Sequence, residues 1–335
     1  MSASANVDHL PTAFDPSTCV RRGLCPVTSI LNEGPEVFES HSLYYEQHGS
    51  GTDYKVVFIM GLNSSSFAWG PQVLHFGRSE EHSILVFDNR GVGNSGYPRG
   101  PYTTAGMAED AIALLDYIGW TEKRDLHVVG ISLGGMIAQE LASRIPDRIA
   151  SLVLAVTTPG GRPWNNFPPW TGVVALAKLT FTLDPVKKAA IATEMLYPAP
   201  WLNEKAEDDP QGRTNRQVQK EMFLRRVDVT PPQALLGVFS QMAAGLTHHC
   251  KPDRLRRISG SIPKVLIVTG DEDNLVRPEH SFEIKAAMPE AELIQWECTG
   301  HGIHYQRVKQ FNALLEKTFR EGKEAVRKEA ARKED

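Results

Sequence analysis

The chain has 335 residues, of which 41% are hydrophobic, 23% charged and 8% aromatic, close to the average of folded globular proteins. This composition excludes intrinsic disorder, a collagen-like chain and a coiled-coil rod. The 36 Lys and Arg residues nearly balance the 40 Asp and Glu residues, giving a net charge of −4. Such a balance offers no general attraction to nucleic acid or anionic lipid, so we expect no nucleic-acid partner.

Neither a secretion signal nor a membrane span is visible in the sequence. The first residues have no basic segment followed by an apolar one, and no stretch reaches about 18 uninterrupted apolar residues. The cysteines are too few and too scattered for a disulfide framework and contain no CxxC zinc pair, although Cys19 and Cys25 could meet across a short loop. We therefore expect a cytoplasmic protein without integral membrane association.

Six short apolar runs have the β-branched character of strands that are buried on both faces. They are residues 54–60, 83–87, 126–129, 149–156, 264–268 and 291–296. Four segments between or after them have helical spacing: residues 104–118, 133–144, 278–287 and 304–319. The alternation predicts a mostly parallel sheet covered by helices on both sides. Residues 38–47 are predicted to form an edge strand of a hairpin.

The alternation of strands and helices stops after Val156 and resumes near residue 255. Prolines and aromatic residues cluster in this interval, which is too long for an ordinary loop. We predict a helical insertion over residues 159–254, with residues 1–158 and 255–320 forming the core. Residues 321–335 are highly charged and are predicted to form a solvent-exposed, fraying helical tail, with a partner-binding helix as the alternative.

Ser132 lies where a predicted strand meets a predicted helix, in the sequence Gly130-Ile-Ser-Leu-Gly134. A serine on such a tight turn presents its oxygen at the carboxyl end of the sheet, where ligand crevices form. The flanking glycines avoid collisions with the neighbouring strand and helix. The following helix directs its N–H groups towards developing negative charge. We predict Ser132 as a nucleophile, with a structural turn serine as the alternative.

A serine nucleophile needs a base, and the base needs an orienting acid. Asp271 and Asp273 follow one later strand, and His301 and His304 follow the last one. We favour Asp273, because Asp271 directly follows a glycine and is expected to shape the turn. We favour His301, because it lies between two glycines and can swing over the serine, whereas His304 is expected to pack or cap the next helix. The remaining histidines are expected to be surface or structural residues.

Two backbone N–H groups should meet the oxyanion that forms during acyl transfer. Leu133, the residue after the nucleophile, supplies one of them. Gly61 lets the loop after an earlier strand approach the site, so Leu62 is predicted to supply the second; a plain turn is the alternative. Asp88 and Arg90 follow another strand and are predicted to make buried polar links that hold loops near the site.

These motifs stand in the order and spacing of the α/β-hydrolase superfamily, which the chain resembles over roughly residues 40–160 and 255–320. The resemblance implies an α/β fold with a mostly parallel eight-stranded sheet, flanking helices and a Ser132–Asp273–His301 triad. The chain is most similar to the serine-nucleophile branch that carries an inserted helical cap, as esterases and lipases do. Met60 departs from the common pattern, in which a histidine precedes the glycine of the oxyanion loop. The motifs that carry the resemblance are residues 60–63, 88–95, 130–134, 270–273 and 300–301.

The residues and the resemblance together predict a serine hydrolase that cleaves a carboxylic ester or lactone through an acyl-enzyme. No metal or cofactor is required for this chemistry. Aromatic residues of the insertion suggest an apolar pocket for a small to medium hydrophobic substrate, although packing within the insertion's own core is the alternative reading. The candidates for the pocket are Trp164, Phe167, Trp170 and Trp201.

The same triad is also compatible with other activities. A carbon–carbon bond hydrolase, an aminopeptidase, an acyltransferase or a perhydrolase would use the same nucleophile. A receptor that keeps the fold without catalysis is a third class, which an intact triad disfavours. For quaternary structure we expect a monomer or a weak homo-oligomer.

Overall fold

The computed structural model describes residues 11–30 and 38–334. Within them, eight strands form one sheet in the order β1-β2-β4-β3-β5-β6-β7-β8. β2 is antiparallel to β1 and β4, and the other neighbouring strands are parallel. This confirms the predicted α/β class and the mostly parallel eight-stranded sheet. The strands are β1 Cys19–Ile30, β2 Phe38–His48, β3 Tyr54–Ile59, β4 His82–Phe87, β5 Leu126–Ile131, β6 Ile149–Ala155, β7 Lys264–Gly270 and β8 Glu292–Trp296.

Helices cover both faces of this sheet and fill the long connection between β6 and β7. In chain order they are α1 Gly70–Phe76, α2 Thr104–Ile118, α3 Leu133–Arg144, α4 Trp170–Phe181, α5 Pro185–Leu196, α6 Ala199–Asn203, α7 Asn215–Val229, α8 Leu235–Thr247, α9 Pro252–Ser261, α10 Glu279–Ala287, α11 Ile303–Gln306 and α12 Val308–Glu334. None of the described helices is long and apolar enough to cross a bilayer.

The sheet has a separate apolar core on each face, because successive side chains of a strand point to opposite sides. In β3, Val57 and Ile59 belong to a core with α2, α3, α9 and α10, whereas Val56 and Phe58 belong to a core with α1 and α12. All four side chains are fully buried. Burying one such side chain contributes about 1.5–3 kcal/mol, so the sheet is a rigid base for the loops at its carboxyl edge.

Two parts of the sequence interpretation differ from the structure in their element boundaries. β1 and α1 had no predicted counterpart, and the helix predicted over 304–319 is divided into α11 and α12, which meet at the non-helical Arg307. α9 begins at Pro252, slightly before the expected end of the insertion, and packs on α3 and α10 of the core. The four cysteines are free. Cys19 and Cys25 lie on the same strand, about 20 Å apart at strand spacing, so they do not meet.

The C-terminal tail, which was expected to be uncovered, contacts the core over its first residues and is mostly exposed over residues 327–332. The segment is helical, as predicted, but it continues α12 along the core. Gly322 is buried against the backbone of Ala150. The Lys323 ammonium group donates a 2.6 Å hydrogen bond to the Asp53 carboxylate.

Candidate active site

Ser132 occupies a strained turn between β5 and α3, with φ 56° and ψ −122°. A non-glycine residue in this region costs about 1–3 kcal/mol and persists only when its surroundings hold it. The Ser132 N–H donates to the Ala155 carbonyl at 2.9 Å, and its carbonyl accepts from the Thr157 hydroxyl at 2.7 Å. The turn is therefore fixed by the neighbouring strand end, and it leaves the half-buried Ser132 side chain at the carboxyl edge.

The glycines around Ser132 are required by close backbone contacts, as expected from the sequence. A Cβ atom at Gly130 would lie 2.3 Å from the Gly134 carbonyl oxygen, and one at Gly134 would lie 2.1 Å from the Ile59 carbonyl oxygen. Real Cβ atoms do not approach so closely. Only glycine allows β5, β3 and the start of α3 to pack together at this point.

Asp273 and His301 are joined by a hydrogen bond at the same edge of the sheet. His301 Nδ1 lies 2.7 Å from Asp273 Oδ2, and both residues are buried. The other carboxylate oxygen of Asp273 accepts the N–H groups of Leu275 and Val276 at 2.7 and 2.9 Å. These bonds orient the carboxylate towards the imidazole. The proton is thereby held on Nδ1, which leaves Nε2 free to act as a base.

The two rejected candidates, Asp271 and His304, have structural contacts. The Asp271 carboxylate accepts the Thr299 N–H at 3.0 Å and so shapes the turn after β7. His304 lies in α11, where its Nε2 bonds to the Ala68 carbonyl at 3.1 Å. Burial lowers the pKa of His304 from 6.5 to about 3, so this imidazole is neutral and packed beside Trp69.

Ser132 Oγ forms no hydrogen bond with the described residues, so the structure does not link it directly to His301 Nε2. Catalytic hydrogen bonds are often long without substrate and tighten when it binds. Ser132, Asp273 and His301 follow β5, β7 and β8, which are parallel, so all three side chains belong to the carboxyl edge. The structure therefore brings Asp273 and His301 into contact and places Ser132 at the same rim.

The glycines beside His301 pack closely against the end of α5. The Gly302 N–H donates to the Leu196 carbonyl at 3.0 Å, and a Cβ atom at Gly302 would lie 2.2 Å from the Tyr197 ring. At Gly300 a Cβ atom would lie 2.5 Å from the same Leu196 carbonyl oxygen. The end of α5 thus lies directly on the loop that carries His301.

The loop after β3 is held against the site by polar side chains from two other segments. The Asn89 amide donates to the Met60 carbonyl at 2.9 Å. Asn63, with φ 53°, donates its N–H to the carbonyl oxygen of the buried Gln241 side chain at 2.8 Å. Gln241 also donates to the Arg90 carbonyl at 2.8 Å. Sequence reasoning missed Gln241, because it lies in α8 of the insertion without any local motif.

The two N–H groups predicted to bind an oxyanion have no acceptor among the described residues. Leu62 N–H lies on the loop held by Asn89 and Gln241, and Leu133 N–H is the first of α3. Gly61 packs directly against the nucleophile turn, since a Cβ atom there would lie 3.1 Å from Ser132 Cβ. Unpaired donors beside a candidate nucleophile fit the stabilisation of negative charge.

Asp88 and Arg90 make the buried polar links that their position after β4 indicated. One oxygen of Asp88 accepts the Ser66 N–H and hydroxyl at 2.7 and 2.8 Å, and the other accepts the Asn94 N–H at 2.8 Å. Complete burial nevertheless raises the pKa of Asp88 to about 6. Arg90 pairs with Asp110 through two hydrogen bonds of 2.6 and 2.7 Å.

The four aromatic candidates for substrate binding do not form a pocket wall in this structure. Trp164, Phe167 and Trp170 are 64%, 49% and 77% exposed. Trp201 packs on Tyr197 with ring centroids 5.0 Å apart, in a small cluster that joins the insertion to Tyr305 of α11. The pocket assignment is therefore not supported for these side chains, because three face solvent and one packs in this cluster.

A family model described as the alpha/beta hydrolase fold matches residues 54–308, and the chain belongs to this family. A Caulobacter segnis protein provisionally named carbamate hydrolase RutD is 27% identical over 284 residues, covering 83% of this chain and 96% of the relative. The enol-lactonase from Burkholderia xenovorans LB400 has a TM-score of 0.64 at 21% identity, covering 83% of this chain and 96% of that structure. A thermophilic esterase from Thermogutta terrifontis has a TM-score of 0.65 at 20% identity, covering 89% and 98%. The two structures show the shared fold, and the family and its relatives support a hydrolytic enzyme.

Proposed function

We propose that the protein is a serine hydrolase that cleaves carboxylic esters or lactones, with Ser132 as nucleophile, His301 as base and Asp273 as orienting acid. The observation that carries the proposal is the 2.7 Å hydrogen bond between His301 Nδ1 and Asp273 Oδ2, at the edge where Ser132 occupies its strained turn. A buried acid that fixes an imidazole at the same rim as a partly accessible serine hydroxyl is the arrangement that activates a serine.

The reaction then has two halves. Ser132 Oγ attacks the acyl carbon while His301 Nε2 takes its proton, and the N–H groups of Leu62 and Leu133 stabilise the oxyanion. His301 returns the proton to the leaving alcohol, which departs. Water, deprotonated by the same imidazole, releases the acid from Ser132 and restores the enzyme. Losing one oxyanion donor typically costs 10²–10³-fold in kcat, so the fixed loop at Leu62 is a large part of the catalytic power.

The substrate class follows from the chemistry of the site and from its surroundings. An attacking serine requires an acyl carbon, which esters, lactones and carbamates provide. The relative provisionally named carbamate hydrolase makes a carbamate the second candidate, because it matches 83% of this chain. We assign residues 159–254 as a cap over a core of residues 1–158 and 255–320, and expect a small to medium hydrophobic substrate. The proposal includes a cytoplasmic protein, monomeric or weakly associated.

The nucleophile is tested with p-nitrophenyl butyrate and a fluorophosphonate probe. The Ser132→Ala variant is expected to lose about 10⁴–10⁶-fold in kcat and all labelling, with its thermal unfolding little changed because Ser132 Oγ makes no hydrogen bond with the described residues. Ser143→Ala, near the end of the helix that follows Ser132, is the matched control and should behave as the natural chain. Turnover or labelling that persists in Ser132→Ala would show that another residue is the nucleophile.

The acyl class is tested on the natural chain with p-nitrophenyl esters of increasing length, γ- and δ-lactones, and aryl carbamates. The proposal expects the highest kcat/KM among esters or lactones of short to medium chains. If an aryl carbamate has a higher kcat/KM than every ester and lactone, the protein is assigned as a carbamate hydrolase instead.

A further inference from the structure

A cysteine, a glutamate and a histidine, all of which commonly bind metal ions, lie close together at the edge of the sheet opposite Ser132. Cys19 begins β1 and is the cross-strand partner of His48, which ends β2. Glu46 lies two residues before His48 and so points to the same face of the strand. The candidate ligand atoms of Cys19, Glu46 and His48 all lie within 4.8 Å of one another. Glu46 and His48 are fully buried, whereas Cys19 is partly exposed and leaves a route from solvent.

The spacing of two of these atoms matches a metal site better than a hydrogen bond. His48 Nε2 and Glu46 Oε2 are 3.4 Å apart, and neither forms a hydrogen bond with the described residues. Two ligands about 2.0–2.2 Å from a tetrahedral zinc ion stand roughly 3.3–3.6 Å apart. Unsatisfied polar atoms in a buried site are costly, so a group that binds both is favoured.

Neighbouring groups orient both side chains towards this point. The Thr18 hydroxyl donates to the Asp15 carbonyl at 2.9 Å, so its oxygen accepts from His48 Nδ1, also at 2.9 Å. The proton of a neutral His48 is thereby held on Nδ1, and the lone pair of Nε2 faces Glu46. Outer partners of this kind commonly fix metal-binding histidines.

The Glu46 carboxylate is fixed in the same manner. Its Oε1 accepts the hydroxyl groups of Thr12 and Tyr44, each at 2.7 Å. The second oxygen is left directed at His48. Two orienting hydrogen bonds on one oxygen and none on the other are what a monodentate metal ligand requires.

We propose that Cys19, Glu46 and His48 bind a divalent zinc ion, with a water molecule at the fourth position. One thiolate and one carboxylate balance the charge of the ion, and the thiolate–imidazole–carboxylate set suits zinc rather than calcium or magnesium. Binding forms the Zn–S bond and releases the thiol proton to solvent.

The site joins the beginning of β1 to the end of β2. No spacing motif indicates it, because residues 19, 46 and 48 are brought together only by the pairing of the two strands. The three ligands lie at the amino edge of the parallel strands, since His48 pairs with Ile84 near the start of β4. The proposal is therefore independent of the catalytic assignment, and we expect zinc to support stability rather than the reaction.

The test uses full-length protein freed of metal by a chelator and titrated with CoCl2 and then ZnCl2. We expect one equivalent of cobalt to produce a thiolate-to-cobalt charge-transfer band and intense visible bands of a tetrahedral site, and zinc to displace it. Cys19→Ser should abolish the charge-transfer band, and His48→Gln should weaken binding by more than about 100-fold. Thr18→Val, which loses the hydroxyl group that accepts from His48 Nδ1 and donates to the Asp15 carbonyl, should weaken binding by about 10–100-fold.

Cys298→Ser is the matched control, because Cys298 is an exposed free thiol far along the chain. It should keep the spectrum and the affinity of the natural protein. Folding of each variant is followed by circular dichroism and by turnover of p-nitrophenyl butyrate. The proposal is overturned if the folded natural chain binds no cobalt or zinc below millimolar concentration. It is equally overturned if the bands survive in folded Cys19→Ser or disappear in Cys298→Ser.

Discussion

At the scale of single residues, the candidate site depends on contacts that leave no space for an added methyl group. Gly134 lets the start of α3 touch the end of β3, and without this contact Ser132 could not occupy its turn. The strain at Ser132 is offset by the packing around it. The conformation of the Ser132 turn and the stability of the sheet therefore depend on the same close contact between two backbone segments.

Gly134→Ala should be among the most damaging substitutions in the chain. Its Cβ atom would lie 2.1 Å from the rigid Ile59 carbonyl oxygen, so we expect a loss of at least about 3 kcal/mol in the free energy of unfolding. The measurement is urea unfolding followed by circular dichroism. Gly260→Ala is the control, because a Cβ atom in that helical position meets nothing within 4 Å and should stabilise by up to about 1 kcal/mol. Equal effects of the two substitutions would contradict this account.

Asp273→Asn should reduce kcat by about 10⁴-fold with little change in stability. The amide oxygen can still accept the N–H groups of Leu275 and Val276, while its NH2 group faces His301 Nδ1. The imidazole proton then moves to Nε2, and the base is lost. Asp271→Asn keeps the acceptor for the Thr299 N–H, so its kcat for ester hydrolysis should stay within a few-fold of that of the natural chain. The opposite pattern would make Asp271 the acid.

At the scale of elements, α8 of the insertion is connected to the loop after β3 through one buried side chain. Gln241 joins Asn63 N–H to the Arg90 carbonyl and thereby fixes two loops of the carboxyl edge. Gln233 adds hydrogen bonds to Asn63 Oδ1 at 2.9 Å and to the Gly91 carbonyl at 2.8 Å. The insertion is therefore part of what positions Leu62 N–H.

Gln241→Met tests this positioning role. The substitution leaves the Asn63 N–H and the Arg90 carbonyl without their partner, so we expect kcat to fall between 10- and about 100-fold while KM changes little. Steady-state kinetics on p-nitrophenyl butyrate separate the two parameters. Gln139→Met removes another buried glutamine, which donates to the Thr158 carbonyl, and serves as the control for lost stability alone. If Gln139→Met loses as much kcat as Gln241→Met, then Gln241 contributes to the stability of the fold and has no specific positioning role.

Strands that are buried on both faces and helices with regular apolar spacing were predictable from the sequence. β4 and β6 are buried at every position, and α2 and α3 begin and end where their spacing predicted. β1 was missed because Arg21, Arg22 and Pro26 interrupt its apolar residues, and its place in the sheet depends on pairing with β2. The contact between Leu196 and Gly302 was likewise invisible, because it joins segments more than 100 residues apart.

At the scale of the whole molecule, several histidines are buried without a charge partner. Burial lowers the pKa of His127 and His304 to about 3 and that of His248 to about 4, from an ordinary value of 6.5. Each is neutral in the folded protein at pH 5, whereas it is protonated in the unfolded chain. Stability from these groups is complete above pH 6.5 and is lost as the pH falls towards the folded pKa values.

Acidification from pH 7 to pH 5 should therefore cost about 2 kcal/mol for each of these histidines. Thermal unfolding at the two pH values measures the loss as a fall in Tm. His127→Gln should reduce the difference in unfolding free energy between the two pH values by about 2 kcal/mol. His249→Gln, an exposed position, should leave that difference unchanged. An unchanged difference in His127→Gln would mean that His127 is already charged in the folded protein.

The packing of α5 on the His301 loop limits how a ligand can reach the serine. Because the Leu196 carbonyl accepts the Gly302 N–H, lifting the end of α5 would pull the imbedded imidazole away from its acid. A route of entry and exit away from that end of the insertion leaves this pair undisturbed. α4 is more exposed than α5, since Gly172 is its one buried residue in the described structure, whereas Ala189, Ala192 and Thr193 of α5 are buried. Movement of α4 alone would therefore leave the hydrogen bond between His301 and Asp273 in place.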